Sequence, residues 1–155
     1  MNSKKLVLRA LQGESTPRVA TGPLAVHYCA GLAGVSIRDY TTNPQILAEC
    51  VIRYYEQFKP DAIWLSADTW ISAGAMGARV GATEDNQPFS GLGQPLVQTV
   101  ADIDRIPAAH LELGRYPVML EALTRIKYAL GKDVFIVACF DQYPVKACHD
   151  EHIFP

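Results

Sequence analysis

The groups in this sequence best suited to chemistry are a carboxylate, a histidine and a few thiols, each beside a recognisable element. Asp68 lies just past the apolar run Ala62-Ile63-Trp64-Leu65, which reads as a parallel strand covered on both faces. A carboxylate at the C-terminal end of such a strand can stabilise a developing cation or hold a donor N–H. The other use is to cap the turn after the strand, a common job for Asp, but its place at the strand's end puts function ahead. Asp141 and Gln142 stand in the same relation to a second apolar run, Val134 to Ala138. They would line the same mouth, or start a helix.

His27-Tyr28-Cys29 is a His-x-Cys triplet at the end of an extended stretch. Alternation along a strand puts His27 and Cys29 on one side, as chelation requires. No third and fourth ligands accompany them, and a zinc site needs a full set, so chance pairing is the plainer reading. Cys148 and His152, within CHDEH, share a face if that stretch is helical. A solvated helix end is the plainer reading, because again a full ligand set is wanting. No metal site is assigned. The glycines of GAMGARVGA and SGLGQP lack the Lys-Ser or Lys-Thr and the strand–loop–helix order of a phosphate cradle. Trp64, Trp70, Tyr54, Tyr55 and Phe58 read as core and rim packing.

The elements that must position these groups follow an α/β order. Ser3 to Gly13 is an amphipathic helix with Ser3 as N-cap, Gly13 just past its end and Leu6, Val7, Ala10 and Leu11 on one face. Val19 to His27 is extended, an irregular strand because of Gly22 and Pro23. Asn43-Pro44 opens a helix over Gln45 to Phe58, and Lys59-Pro60-Asp61 stops it ahead of the first apolar run. Thr69 to Ala109 reads as a long loop region with short extended pieces and one short helix near Ala101 to Arg105. Connections of that length usually carry function or cover a site. Tyr116 to Leu130 is again an amphipathic helix, ended by Gly131 before the second apolar run.

Composition narrows the class. Hydrophobic residues make up 49% and charged residues 19% of 155, as in an ordinary folded domain. The net charge of −2 gives no electrostatic reason to expect nucleic acid. No apolar run approaches the ~20 residues of a membrane span, and the N-terminus lacks the apolar stretch of a signal peptide. The four cysteines include no CxxC pair and read as buried free thiols, so a cytoplasmic location is expected.

Three stretches in order resemble the uroporphyrinogen decarboxylase family. RALQGESTPRVATGP resembles its opening helix, turn and first strand. FKPDAIWLSADTWISAGAMGA resembles its second strand and Asp-containing turn, with Gly77 at a family glycine. YPVMLEALTRIKYALGKDVFIVACFDQYP resembles the helix and third strand that follow. The resemblance covers most of the chain but under half of a family member's usual length. It implies an α/β fold forming part of a (β/α)8 TIM-type barrel, with about three strands and their helices. Residues 1–155 then form a single, incomplete barrel domain; a whole barrel takes ~250 residues.

The family holds haem-pathway decarboxylases and corrinoid-linked methyltransferases. The resemblance makes Asp68 the catalytic aspartate, with His27, Tyr28, Cys29, Asp141 and Gln142 as substrate-binding candidates. Decarboxylases carry Arg-Gln-Ala-Gly-Arg after the first strand, and guanidinium suits their many substrate carboxylates. Here the segment is Tyr28-Cys29-Ala30-Gly31-Leu32, without either arginine. That favours a methyltransferase relative over a decarboxylase of tetrapyrrole biosynthesis, while a non-catalytic half-barrel is the third reading. The methyltransferases' zinc ligands belong to the family's C-terminal half, so no cofactor is expected on this chain alone; zinc and a corrinoid protein belong to a complete relative. Three parallel strands would leave an open edge, so a homo-oligomer or a complementing C-terminal half-barrel chain is the expected partner.

Overall fold

The computed structural model describes residues 1–81, 83–89, 93–108 and 110–139. Its frame is one strand–helix–strand unit with a helix before it. Asn43 accepts the N–H groups of Gln45 and Ile46 at 3.0 and 3.2 Å and so starts a helix over Pro44–Phe58. Pro44 costs that helix no hydrogen bond, because first-turn N–H groups have no partner within the helix. Leu47, Ala48, Cys50, Val51 and Tyr54 form its buried stripe, whereas Phe58 is partly exposed. Lys59 turns into the left-handed region, and the chain enters a strand over Ala62–Leu65. A helix over Tyr116–Leu130 packs beside the first one, burying Met119, Ala122 and Ile126. The second strand, Phe135–Ala138, pairs parallel with the first, Ala62 opposite Phe135 and Leu65 opposite Ala138.

In chain order the elements are α1 (Ser3–Leu11), α2 (Tyr28–Ala33), α3 (Ile37–Thr42), α4 (Pro44–Phe58), β1 (Ala62–Leu65), α5 (Ile71–Ala75), α6 (Val100–Ile103), α7 (Tyr116–Leu130) and β2 (Phe135–Ala138). The fold is α/β, as expected, and α4, β1 and α7 lie where periodicity put them.

Several expectations need correction. Two strands, not three, are formed among the described residues, and Val19 to His27 is not one of them. Thr21 offers its carbonyl to the N–H groups of both Asp61 and Ala62, at 2.8 and 3.0 Å. No ladder forms beyond this point, since Pro23 has no N–H to give and Val26 takes a positive φ of 33°. The chain then coils into α2, so the alternation assumed for His27 and Cys29 does not exist. Asn2 rather than Ser3 caps α1, freeing the Ser3 hydroxyl to donate to Asp61 at 2.7 Å. Leu6 and Val7 turn inward, but Leu11 is exposed. The short helix expected near Ala101 appears as α6, while α5 lies in what read as loop. The four residues of β2 are each only partly covered.

Candidate active site at the exit of the first strand

Three successive residues beyond β1 each have their carbonyl held by a side chain. The Tyr40 hydroxyl of α3 donates to Ser66 O at 3.1 Å. His27, at the start of α2, donates from Nε2 to Ala67 O at 2.8 Å. Since a carbonyl can only accept, Nε2 carries the proton, which leaves Nδ1 as an acceptor in the neutral ring. The Ser66 hydroxyl donates to Asp68 O at 3.3 Å. Tyr40 is fully buried, and that burial pushes its phenol well above the ordinary range. His27 and Tyr40 also meet edge to face, with ring centroids 5.9 Å apart. The exit loop is therefore fixed from the side of α2 and α3.

That loop aims Asp68 at α7. Its carboxylate is wholly enclosed, and both oxygens accept from the Arg115 guanidinium, Oδ1 at 2.8 Å from Nη2 and Oδ2 from Nη1. Oδ1 also accepts the Trp70 N–H at 2.7 Å, closing the turn into α5. Asp68 thus caps its turn and binds a cation at once. Arg115 is mostly buried but keeps 19% of its side chain exposed. Beside it, the hydroxyls of Ser72 and Tyr116 lie 2.9 Å apart and tie α5 to α7.

Arg115 escaped sequence reasoning. A usable signal existed: it occupies the N-cap position of α7, where the helix dipole disfavours a cation unless a carboxylate faces it. Gly114 makes the approach possible. Its φ is +59°, and a Cβ there would come within 3.0 Å of the Ala75 backbone nitrogen, so glycine is required on both counts.

The remaining candidates separate. Tyr28, next to His27, turns the other way and sets its ring against Tyr54 and Phe58, at 6.4 and 6.1 Å between centroids. Cys29 is buried in the core, where burial and the neighbouring Cys50 push its thiol up to about 12. Cys29, Cys50 and Cys139 are free thiols. Asp141, Gln142 and the cluster Cys148 to His152 lie outside the described residues. Among the described residues no three His, Cys, Asp or Glu side chains gather as a metal would need, and no helix is long and apolar enough to cross a membrane.

Comparison with known proteins agrees with this frame. The family model for uroporphyrinogen decarboxylase (URO-D) matches residues 2–140. Two sequences of the methylcobamide:CoM methyltransferase MtaA from Methanosarcina barkeri are 26% identical over 137 residues, 86% of this chain and 40% of theirs. A solved methyltransferase from Methanosarcina mazei superposes with a TM-score of 0.78 at 27% identity, over 97% of this chain and 45% of that one. The chain therefore spans less than half the length of the relatives it matches. With that match across nearly all of its described length, the chain belongs to the uroporphyrinogen decarboxylase family.

Proposed function

We propose that this chain supplies the first staves of a (β/α)8 barrel in a corrinoid-linked methyltransferase relative, with Asp68 at the barrel mouth as a fixed anion. The observation that carries the choice of reaction is the setting of position 28. Decarboxylases hold an arginine there for substrate carboxylates; here Tyr28 rests on Tyr54 and Phe58, and Leu32 packs against the core. A polycarboxylate would meet apolar surface at both positions, at a desolvation cost with no ion pair to offset it. The similarity to two methyltransferases supports the same choice.

Both oxygens of Asp68 already accept N–H bonds. Such a group, paired with Arg115, is held in place and can act on charge that develops nearby without reorganising. His27 Nδ1 is the neighbouring acceptor. The described residues do not fit a zinc ion, because Cys29 is turned into the core and His27 Nε2 is committed to Ala67. Zinc and a corrinoid protein would belong to the complete assembly. Its cytoplasmic location is part of the same reading, supported by the free thiols.

A second reading rests on the same contacts: Asp68 as a purely structural lock between the exit of β1 and the start of α7. Titration with methylcobalamin and, separately, with an octacarboxylate porphyrin decides between the reactions. Methylcobalamin should bind more tightly, and Asp68→Asn should weaken it while the fold persists. Preferential porphyrin binding restores the decarboxylase. Unaltered methylcobalamin binding by Asp68→Asn, with a lowered unfolding midpoint, leaves only the lock.

A further inference from the structure

Where the ladder of the sheet ends, side chains take over its work. Leu65 O accepts from Cys139 N at 2.9 Å, and the pairing of β1 with β2 stops there. The next three carbonyls accept from the Tyr40 hydroxyl, His27 Nε2 and the Ser66 hydroxyl in turn. Ser66 belongs to the exit loop itself, so its bond ties the loop to nothing else. Tyr40 and His27 come from outside, 26 and 40 residues earlier than the carbonyls they hold. Tyr40 lies on α3 and His27 at the N-cap of α2, helices of six residues each. Helices that short are unstable alone, and both pack on α4. The two donors are therefore fixed by the core rather than by the loop they bind.

Resting on the reading of Asp68 as the anion of a binding site, we infer that Tyr40 and His27 are positioning residues for it. They hold the Ser66 and Ala67 peptides so that the carboxylate that follows keeps one orientation. A buried phenol needs some acceptor. Packing alone does not require two rings from two helices to take consecutive carbonyls directly before a buried carboxylate. That carboxylate depends on reach: it accepts the Trp70 N–H at 2.7 Å and Arg115 Nη2 at 2.8 Å, and such bonds fade beyond about 3.2 Å. A rotation of the Ala67 peptide that moved the carboxylate by about 1 Å would break one or both, and misplacement on that scale costs about a hundredfold at a reacting centre. Arg115 by itself does not prevent it, because a partly exposed guanidinium can follow the carboxylate it binds. The cation sets the pairing; the two rings set where the pair stands.

The test uses the full chain and reads the pair directly, by NMR of the Arg115 guanidinium N–H groups. Their separate signals persist only while a two-pronged bond to Asp68 stops the group from rotating. Tyr40→Phe keeps the ring and removes one hydroxyl. It should broaden those signals and weaken methylcobalamin binding about fivefold, the scale of one hydrogen bond. Added to Asp68→Asn it should weaken binding no further, since a residue acting through another loses its effect once the other is gone. His27→Leu should broaden the same signals, and His27→Gln, whose amide can still donate to Ala67 O, should restore them. Ile126→Ala, buried about 16 Å from Arg115 along α7, should lower the unfolding midpoint and leave the signals sharp. Averaged signals in the wild type, sharp signals in Tyr40→Phe and His27→Leu, or binding losses that add to that of Asp68→Asn overturn the inference. If Asp68→Asn binds methylcobalamin like the wild type while Tyr40→Phe still broadens the signals, the positioning stands and the reading of the site falls.

Discussion

Two buried aspartates bracket β1, and each is clamped by an arginine from elsewhere in the chain. At the entrance, Asp61 accepts from both Arg18 Nη groups at 2.5 and 2.6 Å, from the Ser3 hydroxyl, and from the Thr21 N–H and hydroxyl. At the exit, Asp68 is held by Arg115 and the Trp70 N–H. The clamps differ in how they face water: Arg18 is 57% exposed, Arg115 19%. The entrance cluster joins α1 and the 16–21 segment to the strand, and its carboxylate has nothing left to offer. In the barrel proposed above, the exit pair would lie at the end where such enzymes gather their chemistry and the entrance pair at the end that serves stability. One residue type, similarly paired, would then be put to two uses by position along one strand.

The sharpest way to break that contrast is Arg115→Ala. It strands a fully enclosed carboxylate, and removing one partner of a buried pair costs about 3–5 kcal/mol. Chemical denaturation should show it, and a loss under about 1 kcal/mol would mean that water reaches Asp68 freely. Asp61→Ala should cost less, about 2–3 kcal/mol, since its partner Arg18 is largely exposed and can rehydrate. Both variants losing equally would erase the difference between the two ends.

Acid should weaken the entrance clamp. Arg18, then the Thr21 N–H and the Ser3 hydroxyl, hold the Asp61 carboxyl well below the usual carboxylate range. A group whose folded-state value is depressed stabilises above its unfolded value, about 3.9, and that contribution drains away as pH falls further. The unfolding midpoint of the wild type should therefore drop below about pH 5 more steeply than that of Asp61→Asn. Parallel curves would show that the clamp contributes nothing. The smallest effect is local: Asn43→Ala removes the cap of α4 and should cost about 1 kcal/mol, leaving both clamps intact.

What could be read from the chain beforehand follows interaction range. The helix over Pro44–Phe58 was legible because its cap, its proline and its apolar stripe lie within one element. Asp68 was legible as the residue past a buried strand. Its partner was not, because 47 residues separate Asp68 from Arg115 and no local pattern links them. The short helices α2 and α5 carry too few turns to show periodicity, and Cys29 parted from His27 only because the chain coils into α2 at Tyr28 and buries the thiol.

Sequence alone determined the α/β order, the buried strand Ala62–Leu65 and the likeness to the family, since periodicity and capping are set by residues a few positions apart. Tertiary structure decided which arginine clamps which aspartate, that Val19 to His27 is not a strand, and that Tyr28 sets its ring against Tyr54 and Phe58. Those outcomes depend on how distant segments compete for the same donors and the same surface, a competition settled only when the chain is packed.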